Sequence, residues 1–102
     1  MKKYSYDVIL YTKIGKRLGQ LDISVSNGIV KGVLNLLQKK EKVQGVVDES
    51  GVCSLQGKIS TLLNDMAFVA TGKMLAEKIV LTLTSAGQTF RLEGLNKALR
   101  VN

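Results

Sequence analysis

The sequence has no histidine, no tryptophan and no proline, and it has a single cysteine. Each absence removes a class of chemistry. Without histidine there is no imidazole to ligate a metal, and no histidine-based acid–base or nucleophilic mechanism. The lone Cys53 excludes an internal disulfide and a thiolate metal cluster, and with them the usual mark of a secreted domain. No apolar run reaches the roughly 18 residues that a membrane helix needs. Met1-Lys2-Lys3 is followed by an apolar run of only Val8 to Tyr11, behind Asp7, which is too short for a signal peptide. The expected location is cytoplasmic, with no metal and no cofactor.

What remains is ordinary material for one soluble domain: 102 residues, 45% hydrophobic and 23% charged. Fifteen Lys and Arg stand against eight Asp and Glu, a net charge of +7, which implies anionic company or plain solubility.

Alternation dominates the pattern. Leu21, Ile23 and Val25 alternate with polar neighbours, as do Cys53, Leu55, Gly57 and Ile59, then Ile79, Leu81 and Leu83, then Phe90 and Leu92. A period of two places one set on a buried sheet face and the other toward water. The strands expected are roughly 3–12, 18–26, 29–38, 42–49, 52–62, 66–73, 77–84 and 88–94. Asn27-Gly28 is a strong two-residue hairpin turn, Ser50-Gly51 and Ser85-Ala86-Gly87 are weaker ones, and Lys39-Lys40-Glu41-Lys42 reads as a charged hairpin end. Every link is too short for a crossover helix, so neighbours pair antiparallel.

The expected fold is therefore all-β, an antiparallel eight-stranded up-and-down meander closing as a small barrel over residues 1–94. A flattened two-sheet sandwich is the alternative. Residues 95–102 leave the pattern, as a C-terminal tail or short helical turn. Glycines 19, 32, 45, 57, 72 and 94 all fall on the apolar parity, where a missing side chain lets a sheet coil sharply. A faint repeat runs through the chain. Thr12-Lys13-Ile14-Gly15 echoes Thr61-Leu62-Leu63-Asn64, and the same step relates Val30 to Ile79, Leu34 to Leu83, Val43 to Leu92 and Gly45 to Gly94.

The succession Gly32, Leu34/Leu36, Gly45, Cys53-Ser54-Leu55-Gln56-Gly57, Ala70-Thr71-Gly72 and Leu92-Glu93-Gly94 resembles a group of small uncharacterised bacterial all-β proteins, over residues of about 8 to 94. The meander is also similar in architecture to the lipocalin-like (calycin) barrels, although their Gly-x-Trp has no counterpart in a chain without Trp. Neither resemblance brings a catalytic motif.

Residues that would carry catalysis read more simply as structure. Cys53 shares the parity of Leu55 and Ile59 and is expected to be a buried small hydrophobe. Gly51 to Lys58 has five residues between its glycines instead of the four of a phosphate loop, and Ile59 where Ser or Thr is required. Asp48-Glu49 are adjacent turn acids, not carboxyls facing each other across a cleft. Tyr4, Tyr6, Phe68 and Phe90 lie on the inward parity and only Tyr11 faces out, beside Lys13, so no stacking platform interleaves aromatic and basic residues. Thr12 and Thr61 are the only polar side chains expected inside, and no charge is.

Two groups are candidates for binding. In a meander barrel alternate hairpins share an end, which gathers Lys13, Lys16, Arg17, Lys39, Lys40 and Lys42 against Glu41 and Asp65 as a basic rim. Ile9, Tyr11, Val33, Leu37 and Val46 put more apolar surface outside than a solvated face carries, which suits a homodimer interface. An eight-stranded barrel is either filled by its side chains or holds one small ligand. The expectation is a non-enzymatic barrel binding a small apolar or amphipathic anionic ligand at its mouth. The alternative is a structural or protein-interaction module, a homodimer with a solid core. Non-specific nucleic-acid binding through charge alone is a weaker third reading, and no membrane span is expected.

Overall fold

The structure is a computed structural model that describes residues 2–13, 15–36, 39–60 and 65–97, with Ile59, Ser60 and Asp65 described by their backbone. Eight strands follow one another: β1 (Lys2–Thr12), β2 (Gly15–Ser26), β3 (Ile29–Leu36), β4 (Lys39–Val47), β5 (Val52–Ser60), β6 (Asp65–Met74), β7 (Lys78–Ser85) and β8 (Gln88–Asn96). Each pairs antiparallel with the next, and β8 returns to β1 through pairs running from Tyr6–Asn96 to Tyr11–Arg91. The sheet is a closed barrel. The sandwich alternative is ruled out by that last seam.

Closure works because the inward parity is apolar through the middle of the barrel. Tyr6, Val8 and Leu10 from β1 meet Leu21 and Ile23, Val30 and Leu34, Leu55, Ile79, Leu81, Leu83 and Leu92, all buried. Cys53 is buried among them. A sheet this short can close only by coiling tightly, and glycines mark where it does. A Cβ on Gly45 would fall on the carbonyl oxygen of Ser54 and 2.8 Å from Cα of Leu55, its cross-strand partner. A Cβ on Gly94 would meet Val8 Cγ1 at 2.6 Å and Ile79 Cγ2 at 3.0 Å, inside the core. Among the described residues no helix is long and apolar enough to cross a membrane.

The hairpin ends are built locally. Asn27 (φ 52°) and Gly28 (φ 77°) form the expected turn between β2 and β3. Ala86 (φ 51°) and Gly87 (φ 77°) repeat the same geometry between β7 and β8, with an alanine in the left-handed region. Asp48 organises the β4–β5 turn, its Oδ1 accepting from Ser50 N (2.9 Å), Ser50 Oγ (2.7 Å) and Val52 N (3.0 Å). Hydrogen bonds from Ser50 first, then from Val52, hold the Asp48 carboxyl below its ordinary range.

Several boundaries differ from the sequence reading. Lys39-Lys40-Glu41-Lys42 is not a hairpin end but the first half of β4, held by the pairs Leu36–Lys39, Asn35–Lys40 and Leu34–Glu41. β2 starts at Gly15, so Lys16 and Arg17 pair with Tyr11 and Leu10. β8 runs to Asn96, two residues past the expected domain edge, while the tail beyond Lys97 lies outside the described residues. Ser85 is a buried polar residue that the sequence reading left in a turn; its hydroxyl donates to the Ala67 carbonyl at 2.7 Å.

The internal repeat has a structural counterpart. The step from Ile29 to Lys78 carries β3 onto β7 end to end, and the same step carries β4 onto β8. Pairing repeats with it: Tyr6–Leu21 becomes Leu55–Ala70, Leu21–Leu34 becomes Ala70–Leu83, and Gly32–Val43 becomes Leu81–Leu92. The fourth kind of seam is the exception. β8–β1 pairs Gly94 with Val8, whereas its counterpart β4–β5 pairs Val43 with Gly57, two residues out of step. The echo at residues 61–64 lies outside the described residues.

Candidate functional site

A ligand inside the barrel would need room, and the middle of the barrel has none to give. The space enclosed by Leu21, Leu34, Val43, Leu55, Phe68 and Leu92 is about 10 Å³. That admits one water at most. The glycines bring strands together here instead of leaving a void, and side chains fill the middle of the barrel. Among the described residues, two grooves on the outside of the barrel straddle the two out-of-step seams.

The first groove, about 630 Å³, runs over β1 between β2, β8 and β7. Its walls follow from register. Ile9 faces outward between Leu18 and Glu93, and Leu95 between Asp7 and Lys78. Leu18 is 73% exposed and Leu95 62%, so each stands out from the sheet as an uncovered leucine. Two ion pairs lie beside them. Arg91 Nη2 lies 2.6 Å from Glu93 Oε1, and Lys97 Nζ lies 3.8 Å from Asp7 Oδ1. The phenol of Tyr11 donates to Glu93 Oε2 at 3.2 Å, while Lys16 Nζ sits 5.6 Å from the Tyr11 ring centre. Burial first, then the bond to Glu93, raises the Tyr11 pKa.

The second groove, about 650 Å³, lies over β4 and β5 and reaches β6. Gly57 forms part of its floor, where a Cβ would meet the Phe68 ring at 2.9 Å. Lys40, Glu41, Lys42 and Lys58 line it with Gln44 and Gln56, which are cross-strand partners. Among the described residues, every charge on the outward parity of β3, β4 and β5 is a lysine: Lys31, Lys40, Lys42 and Lys58.

The basic rim is not assembled as one ring. Lys13 is in the β1–β2 turn, and Lys16 lies outside over Tyr11. Arg17 and Lys39 continue the inward parity at their strand ends, as does Glu41, so charge does share the inner face at that end. Lys40 and Lys42 join Lys58 on the outer wall instead.

The apolar group is divided too. Ile9 and Tyr11 sit half-buried on β1, Val33 lies between Asp22 and Lys42, and Val46 lies between Ile29 and Ser54 on the far side. Leu37 lies outside the described residues. Sequence reasoning missed Leu18, Val80, Gln44, Gln56 and Lys58. Placing the start of β2 at Gly15 would have shown Leu18 facing outward beside Ile9. Among the described residues no group of three or more His, Cys, Asp or Glu is placed to hold a metal.

Comparison with protein-family models, with curated proteins and with solved structures finds no match to this chain.

Proposed function

We propose that this barrel is a non-enzymatic interaction module that self-associates through the groove over β1. One observation carries the reading: Leu18 and Leu95 stand exposed on either side of Ile9, in a groove whose own charges balance. Asp7 and Glu93 offset Lys78 and Arg91 there, on a chain whose net charge is +7. Two copies of so basic a protein repel least across this face. Ion pairs already made within each copy reduce the desolvation cost of burying them. An isologous contact needs projections and a hollow in the same patch, and two leucines flanking a groove supply both. The packed middle of the barrel supports this reading over a ligand held there.

Light scattering on the eluting protein tests it. The wild type should run as a dimer, and Leu18→Lys with Leu95→Lys should run as a folded monomer. A wild type that stays monomeric at high micromolar concentration refutes the reading.

A further inference from the structure

The two grooves are counterparts under the internal repeat, and their differences are chemical. The step that carries β4 onto β8 places Lys42 where the other groove has Arg91, and Gln44 where it has Glu93. It places Gln56 at the position of Asp7 and Lys58 at that of Ile9. Both carboxylates of the first groove are thus amides in the second, and its central apolar residue is a lysine. A groove that is balanced on one side of the barrel has lost every outward acid on the other.

Folding alone gives no reason for this. Lys40, Lys42 and Lys58 line one groove, and gathering like charges on one face of a sheet adds repulsion rather than stability. The outward polar side chains of the groove are ammonium groups and amides, so it offers many hydrogen-bond donors; one carboxylate, Glu41, also lines it, on the inward parity of β4. Among the described residues no aromatic side chain lies on the outward parity of β3 to β6, which leaves no platform for stacking bases. The volume, about 650 Å³, is that of a small-molecule site.

We propose that the groove over β4 and β5 binds a compact oligophosphate, with Lys40, Lys42 and Lys58 holding its charge and Gln44 and Gln56 donating to its oxygens. The phosphates can be free or belong to a nucleotide, since the groove addresses only their charge and oxygens. This site is independent of the association face over β1.

Titration of the full chain with inorganic pyrophosphate, followed by backbone amide shifts at low salt, tests it. Shifts should concentrate on β4 and β5. Lys42→Gln with Lys58→Gln should weaken binding about tenfold or more, since charge-assisted bonds are lost. Gln44→Glu with Gln56→Asp, which restores the acids of the other groove, should abolish it. Lys3→Gln with Lys73→Gln removes the same charge elsewhere and should leave binding nearly unchanged. ATP and tripolyphosphate, run in parallel, distinguish a nucleotide from free phosphate; tighter binding of ATP would assign the site to the nucleotide. Equal weakening by both lysine pairs would reduce the effect to net charge and overturn the site. So would binding of an oligonucleotide with no response to pyrophosphate, or shifts spread over the whole surface.

Discussion

The phenol of Tyr6 on β1 donates a 2.6 Å hydrogen bond to the carbonyl oxygen of Leu75, in the link between β6 and β7. Neither strand is a sheet neighbour of β1, so the bond ties one end of the barrel across its interior rather than along a seam. Tyr6 is fully buried and its ring stacks against Tyr4 at 6.1 Å. Burial, then the neighbouring Tyr4, pushes its pKa well above that of a free phenol.

Tyr6→Phe keeps the ring and removes the hydroxyl, leaving the Leu75 carbonyl without its side-chain donor. The expected cost is about 1–2 kcal/mol in urea unfolding. The pH dependence follows from the direction of the shift. The folded state favours the neutral phenol, so its contribution is complete below the free pKa of about 10 and is lost as pH rises above it. Wild type should therefore lose its advantage over the variant above about pH 10. An advantage unchanged there would show that the phenol ionises equally in both states.

The fold was legible because one face of every strand is buried, and burial writes itself into sequence as alternation. Leu21, Ile23 and Val25 announce β2 without any knowledge of their neighbours. At Lys39-Lys40-Glu41-Lys42 both faces are charged, so alternation has no contrast there. Only pairing with Asn35 and Leu34 makes that segment a strand. The grooves failed to show for a related reason. Gln44 and Gln56, or Ile9 and Leu18, become neighbours through register, and register is set by closure around the barrel rather than by any one strand. The repeat was the one signal that reached across strands: it relates Ile9 to Lys58 and Glu93 to Gln44 before any pairing is known.

The two matching turns differ in one residue, and that difference is testable. Asn27 and Ala86 occupy the same left-handed position, which asparagine tolerates and alanine resists. Ala86→Asn should stabilise by about 1 kcal/mol, raising the thermal midpoint by about 4–8 °C. Ala86→Gly should do less, because the relief is offset by the freedom that glycine gains on unfolding. A midpoint lowered by asparagine would mean that the side chain of Ala86 matters more than its backbone angle.

Cys53 supplies the last prediction. Its thiol faces the core, is 2% exposed, and is pushed up to about 11 by burial, with Asp48 adding to the effect. The attacking species in alkylation is the thiolate, and at neutral pH the folded protein holds almost none. Native labelling should therefore be slow and should accelerate with urea in step with unfolding. The shift also gives stability a pH window. A raised pKa means that the fold favours the neutral thiol, so the contribution is full below the free thiol's value of about 8.5 and fades as pH climbs to about 11. Cys53→Ala removes the titrating group while keeping the site small and apolar. Plotted against pH, the unfolding free energy of wild type should fall relative to that of the variant between those limits, with Tyr6 titrating alike in both. Parallel curves, or rapid labelling without denaturant, would place the thiol in contact with water and contradict its position on the inner face of β5.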